Sequence, residues 1–197
     1  MIACEVTKDG SKMTENEKRL AGEIYDPMDE EILSLQKAGL HVMDEYNQTM
    51  SDEGDRRCEL LKQMLGSVGK DCYIEPPFHA NWGGKNIFFG SGVYANFNLS
   101  AVDDVAIYVG NHVMFGPNVT LITTNHPLEP ESRKKGLQYS KPITIGENAW
   151  IGAGAMLLPG VTIGENTVIG AGSIVTKDIP SGVVAVGNPC RVVKKIL

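Results

Sequence analysis

Residues 145–180 read IGENAW IGAGAM LLPGVT IGENTV IGAGSI VTKDIP, six blocks of six in one unbroken phase. An aliphatic residue opens every block: Ile145, Ile151, Leu157, Ile163, Ile169 and Val175. Glycine follows it at Gly146, Gly152, Gly164 and Gly170, and the fifth place holds Ala149, Ala155, Val161, Thr167, Ser173 and Ile179. A period held over this length is the signature of a solenoid. Three blocks closing a triangle make one coil, and stacked coils put equivalent residues above one another at a strand spacing of about 4.8 Å. The opening aliphatics then fill the prism, and the glycines are expected to serve the turn geometry of the corners. The pattern predicts a mainly β chain, a parallel β-helix with open ends that need caps.

The phase extends towards the N-terminus through Val109-Gly110, Val113, Phe115-Gly116 and Val119, and begins near residue 87. Upstream the pattern turns helical over residues 13–66. Thr14 and Glu17 form a capping-box pair. Further helices are expected at about 29–46 and 55–65, with Gly39 and Gly54 blurring their limits. The division is an extension at 1–12, a candidate for disorder, a helical region at 13–70, and the β-helix at 71–197 with a loop at 127–142 and a C-terminal tail.

The chain has 197 residues, a formal charge of -6, 22 glycines and only 7% aromatics, which suits a core of small and branched side chains. An acidic balance argues against general nucleic-acid binding, which needs a basic surface. No apolar run is long enough for a membrane span and no signal pattern opens the chain. Cys4, Cys58, Cys72 and Cys190 contain no Cys-x-x-Cys pair, and reduced thiols in the cytoplasm are expected. The tail is locally basic, with Arg191, Lys194 and Lys195 and no acid. It reads either as a solvated end or as a phosphate contact.

In a solenoid, function tends to sit where the repeat fails. One failure is near Asp103-Asp104, where two extra residues must be accommodated; on spacing alone the pair reads as a solvated turn. The larger one separates Leu121 from Ile145, where residues 127–142 form a loop rich in proline and charge. His126 stands at its root, on a rigid strand beside a flexible flap. A histidine there is either a turn cap before Pro127 or a general base, since its ordinary pKa near 6.5 lets it accept a proton at neutral pH.

Ala21-Gly22-Glu23-Ile24-Tyr25, Tyr94-Ala95-Asn96-Phe97-Asn98, Pro117-Asn118-Val119, Asn125-His126-Pro127, Lys141-Pro142-Ile143-Thr144-Ile145-Gly146, Trp150-Ile151-Gly152 and Val175-Thr176-Lys177-Asp178 together resemble the galactoside and maltose O-acetyltransferases. The similarity runs from Met13 to the end. It implies a left-handed helix, an exception to the right-handed crossover rule, and a homotrimer with sites between subunits. It also implies acetyl-CoA as donor and a sugar hydroxyl as acceptor. By position, His126 is the implied general base, and Asn81, Asn96 and Asp104 are implied acceptor contacts, Asn96 also lying near the acetyl group. Asp103 keeps the turn reading. Ala153, Ala171, Thr176, Lys177, Arg191 and Lys194 are the implied donor contacts, the last two at the phosphates. The family's acidic contact near the N-terminus falls on Pro27, with Asp26 beside it, and Trp150 is expected either beside the donor groove or in a subunit contact.

Other classes share this scaffold. A metal-dependent carbonic anhydrase needs three converging histidines. The chain has His41, His79, His112 and His126, two of them before the repeats, so no metal is expected. A serine or xenobiotic acetyltransferase, or a non-catalytic binding module, would keep the same helix without the sugar contacts.

Overall fold

The computed structural model describes residues 12–196; the extension expected at 1–12 lies, apart from Lys12, outside them. Short parallel strands repeat around three faces. The first face stacks Ser67–Val68, Ile87–Phe89, Ile107–Val109, Ile143–Ile145 and Thr162–Ile163. The second stacks Tyr73–Ile74, Tyr94–Ala95, Met114–Phe115, Trp150–Ile151, Val168–Ile169 and Val183–Val186. The third stacks Phe78–Ala80, Leu99–Val102, Thr120–Ile122, Met156–Leu157 and Ile174–Val175. This is the β-helix that the six-residue period predicts.

The period determines what faces inward. Ile145, Ile151, Leu157, Ile163, Ile169 and Val175 are all buried, and so are the fifth-place residues from Ala149 to Ile179. Each large aliphatic removed from water contributes about 1.5–3 kcal/mol, so the column is the main stabilising element. Two of its members are polar and self-satisfied: Thr167 donates to the Pro180 carbonyl at 2.8 Å and Ser173 to that of Gly170 at 2.6 Å.

The block glycines have a different role from the one expected. Gly146, Gly152, Gly164 and Gly170 do not take left-handed backbone angles. They are required by contact between coils: a Cβ on Gly152 would lie 2.6 Å from the Ala171 nitrogen, and one on Gly146 2.5 Å from the Glu165 nitrogen. The left-handed positions come two residues later, at Asn98, His112, Asn118, Asn148 and Asn166. Asparagine tolerates that region, and its amide also bridges coils, from Asn98 to Asn118 at 3.1 Å and from Asn148 to Asn166 at 2.8 Å.

Helices close the N-terminal end of the prism. Helix α1 (Glu15–Ala21) starts at the expected capping box, with Thr14 and Glu17 exchanging side-chain and backbone bonds. Helix α2 (Glu30–Asn47) and helix α3 (Gly54–Met64) place Met43, Tyr46, Leu60, Leu61 and Met64 in the same buried cluster as Ile74 and Phe78 of the first coil. Gly39 sits in mid-helix rather than at an end. A Cβ there would strike the carbonyl of Trp82, so the glycine lets the 81–86 turn lie directly on α2.

The first break is the expected two-residue insertion, and the second is more ordered than a flexible flap. Phe89 pairs with Val109, twenty residues on, whereas Ile145 pairs with Ile163, eighteen on, so the coil through Asp103-Asp104 carries the two extra residues. The loop after Leu121 is a hairpin: Thr124–Asn125 pairs antiparallel with Tyr139–Ser140, and helix α4 (Pro130–Lys134) lies between them. It is latched as well, since Tyr25 and Gln138 exchange backbone bonds of 2.9 and 3.0 Å. The C-terminal residues form a strand, Arg191–Lys195, antiparallel to Val183–Val186.

Gly152→Ala is expected to cost about 1–3 kcal/mol or to block folding, because backbone must give way. Gly54→Ala, with open space around it, should leave stability unchanged or raise it by about 0.4–1 kcal/mol. Thermal unfolding of the two variants separates these outcomes.

Candidate functional site

Each circuit of the chain crosses the third face and turns a corner onto the first. Asn81, Asp104 and the hairpin that carries His126 leave the ends of three successive strands of that face, so one edge of the prism collects them. Asn81 and Asp104 meet directly, with the Asn81 amide donating to Asp104 Oδ2 at 3.1 Å. The other carboxylate oxygen, Oδ1, accepts from the Tyr25 hydroxyl at 3.2 Å. Two neutral donors hold the Asp104 carboxylate, which is itself buried.

Asp103 corrects the expectation of a solvated turn. It is fully buried, and its oxygens accept the backbone N–H of Trp82 at 2.7 Å and of Gly84 at 3.1 Å. Asn86 donates to its carbonyl at 2.7 Å. The carboxyl therefore staples the 81–86 turn to the insertion one coil on, and so holds Asn81 against Asp104. Burial dominates its titration and pushes its pKa up to about 7 against these backbone bonds, with the neighbouring Asp104 adding to the rise.

Two residues that the sequence left without a role complete this edge. The Arg19 guanidinium is buried 4.1 Å over the Trp82 ring and donates to the Asp104 carbonyl; burial lowers its pKa. Tyr25 is buried to 1% exposure. Its hydroxyl lies 3.2 Å from Asp104, 3.0 Å from Gln138 Oε1 and 3.3 Å from Ser140 Oγ, and Ser140 in turn lies 2.8 Å from Thr124 Oγ1. Asp26 turns its carboxylate back on the chain, accepting from the Met28 N–H at 2.9 Å.

His126 is exposed at the base of the hairpin, and its Nδ1 lies 2.9 Å from the Leu137 carbonyl. A carbonyl only accepts, so Nδ1 carries the proton and Nε2 is left as the acceptor. A ring held in this tautomer and open to solvent can take a proton from a hydroxyl.

A second edge, where the second face turns onto the third, carries other predicted residues. Asn96, Gly116, Gly152 and Gly170 follow one another there, each N–H bonding the coil beyond. Ala153 and Ala171 are the exposed residues just after the last two. Val186 packs at Gly170 and pairs with Arg191, so the column reaches the C-terminal strand, which also bears Lys194. From Asn96 to Arg191 it climbs five strand spacings, about 24 Å. Asn96 keeps its oxygen on the Phe97 N–H at 2.8 Å. Thr176 and Lys177 follow Ile174–Val175 and lie instead on the His126 edge, both exposed. Trp150 projects from the second face, 51% exposed, in line with Met114 and Tyr94, also exposed. Among the described residues no three His, Cys, Asp or Glu side chains converge as a metal site, and no helix is long and apolar enough to cross a membrane.

Comparison with known proteins bears on the scaffold and the family. Residues 18–69 match the maltose acetyltransferase hexapeptide capping motif, and residues 142–177 match the bacterial transferase hexapeptide family over six repeats. The chain is 54% identical over 174 residues to a galactoside O-acetyltransferase of Lactococcus lactis, covering 88% of this chain and 84% of that one. A maltose O-acetyltransferase structure from Clostridium difficile superposes with a TM-score of 0.91 at 44% identity, over 94% of this chain and 98% of that one. A galactoside acetyltransferase in complex with coenzyme A gives the same TM-score at 47% identity, over 94% and 92%.

The raised pKa of Asp103 makes stability depend on pH. The folded carboxyl keeps its proton up to about pH 7, whereas the unfolded one releases it near 3.8. Its contribution is therefore fully present below about 3.8 and is lost as pH rises through about 7. Asp103→Asn should flatten this slope in melting temperatures taken between those limits; a variant that kept the wild-type slope would show that the proton resides elsewhere.

Proposed function

Since this chain belongs to the family of galactoside and maltose O-acetyltransferases, we propose that it transfers the acetyl group of acetyl-CoA to a hydroxyl of a sugar, with His126 as general base. The observation that carries the mechanism is the bond from His126 Nδ1 to the Leu137 carbonyl, which leaves Nε2 as the acceptor nitrogen. Nε2 takes the proton as the sugar oxygen attacks the thioester carbonyl. The tetrahedral intermediate then expels the coenzyme A thiolate, which recovers that proton from the imidazolium. No acyl-enzyme is required, because holding both substrates together converts a bimolecular step into a local one.

Asp104 and Asn81 are the acceptor contacts in this reading. The carboxylate, held by neutral donors only, accepts from a sugar hydroxyl and orients the attacking one. The donor lies extended along the second edge, with its thioester end by Asn96, its pantetheine past Ala153 and Ala171, and its phosphates at Arg191 and Lys194. An arginine pairs well with phosphate there. Thr176 and Lys177 contact the donor from the edge that bears His126.

That division supports a site between subunits. Asn96 and Asp104 belong to the same coil but stand at opposite ends of the Leu99–Val102 strand, about 13 Å for four extended residues. A hydroxyl at His126 and a thioester beside Asn96 meet when the donor edge of one copy faces the acceptor edge of another. The exposed Tyr94, Met114 and Trp150 stripe supports such a contact, and a homotrimer closes it with three equal interfaces. The free thiols of Cys58, Cys72 and Cys190 support a cytoplasmic location.

His126→Ala should lower turnover by about a hundredfold or more, as for loss of a general base, with assembly unchanged in sedimentation. Near-normal release of free thiol from acetyl-CoA in the presence of the sugar would refute the mechanism. Arg191→Ala with Lys194→Ala should raise the KM for acetyl-CoA and leave that for the sugar unchanged; equal change in both would remove these residues from the donor site.

A further inference from the structure

The Tyr25 hydroxyl is where three separate stretches of chain meet. It comes from the segment after α1, and its neighbours are Asp104 of the insertion and both Gln138 and Ser140 of the hairpin's return strand. Ser140 continues the path to Thr124, two residues before His126. The backbone adds a second tie, because Tyr25 and Gln138 exchange both of their main-chain bonds. We propose that Tyr25 is a positioning residue for the acceptor site, its hydroxyl setting the Asp104 carboxylate and the His126 hairpin in register with one another.

The proposal rests on the acceptor role given above to Asp104 and His126, and extends it to a residue that touches neither the transferred acetyl group nor the base. A single phenolic proton cannot serve Asp104 and Gln138 together. Given to the carboxylate, it leaves the phenolic oxygen to accept from Ser140, and the hydroxyl chain then runs one way: Thr124 to Ser140 to Tyr25 to Asp104. Burial and the charge of Asp104 push the Tyr25 pKa up to about 12, so it is a donor throughout the working range. The ring beneath is packed with Ile32 and Trp82, and the Trp82 turn carries Asn81, the other donor to Asp104. Both partners of the carboxylate are therefore anchored on one small cluster, and a shift of the hydroxyl moves the acceptor contact relative to the base.

Tyr25→Phe removes the oxygen alone and keeps the ring and the backbone exchange. The lost donor faces a carboxylate, so kcat/KM for the sugar should fall by about tenfold to a hundredfold, with the KM for acetyl-CoA unchanged. Ser140→Ala, cutting the same chain one link on, should give a smaller loss of the same pattern. In an Asp104→Asn background Tyr25→Phe should have little further effect, because the two act as one unit. Wild-type kinetics in Tyr25→Phe, equal loss on both substrates, or full additivity with Asp104→Asn would each overturn the proposal. Hydrogen exchange gives a readout independent of activity: the amides of the 124–140 hairpin should exchange faster in Tyr25→Phe than in wild type, and unchanged exchange would also overturn it. If the wild-type protein acetylates no sugar in a panel of glycosides, the acceptor assignment itself falls, whatever the exchange data show of the latch.

Discussion

The structure depends on how closely one coil can lie on the next. At Gly110, Gly146 and Gly152 an added Cβ would come within 2.5–2.6 Å of a backbone nitrogen in the neighbouring coil. With hydrogen in that place, the peptide groups of adjacent coils reach bonding distance at these corners: Gly110 donates to Ile145, Gly146 to Ile163 and Gly152 to Ile169, each at 2.8 Å. The aliphatic column inside and the two residue-bearing edges outside are both consequences of this stacking. Because the edges are ruled by the same repeat, residues far apart in sequence, such as Asn96 and Arg191, fall on one line.

The scaffold was legible because each repeat states the same fact again. A strand of two or three residues carries little signal alone, but the register of Ile145 on Ile163 is written into both blocks. The place of His126 at the root of the hairpin is legible for the opposite reason: it marks the point where the repeat stops. Asp103 was misread. Nothing around it in sequence distinguishes a buried carboxyl from a solvated one, and what buries it is the Trp82–Gly84 turn, supplied by the preceding coil and pressed down by α2 through Gly39. Tyr25 and Arg19 have no visible role in the sequence for a similar reason, since the Asp104 they both bond lies about eighty residues on. Local pattern reports what a residue does for its own element; it is silent on a residue whose purpose is to join elements.

Charge around the Asp103-Asp104 insertion is handled by separation rather than by pairing. Asp103 and Asp104 are adjacent and both buried, yet they face opposite tasks. Asp103 turns to backbone N–H groups and its carboxyl is held towards the neutral form, whereas Asp104 receives side-chain donors from Tyr25 and Asn81. Arg19, the nearby cation, is spent on the Trp82 ring, the Asn16 side-chain oxygen and the Asp104 carbonyl rather than on the Asp104 carboxylate.

The C-terminal strand has a meaning beyond its basic residues. A parallel solenoid ends in an open row of peptide groups, which is a template for another chain's first coil, and stacking of that kind propagates into fibres. Arg191–Lys195 reverses direction and lies antiparallel on Val183–Val186, so the terminal row of the second face is occupied by a strand of the wrong polarity to continue the helix. Its register slips between Val184 and Ala185, which further spoils the lattice, and its exposed arginine and lysines repel a like end. On that face the outermost strand thus runs against the direction in which a further coil would stack.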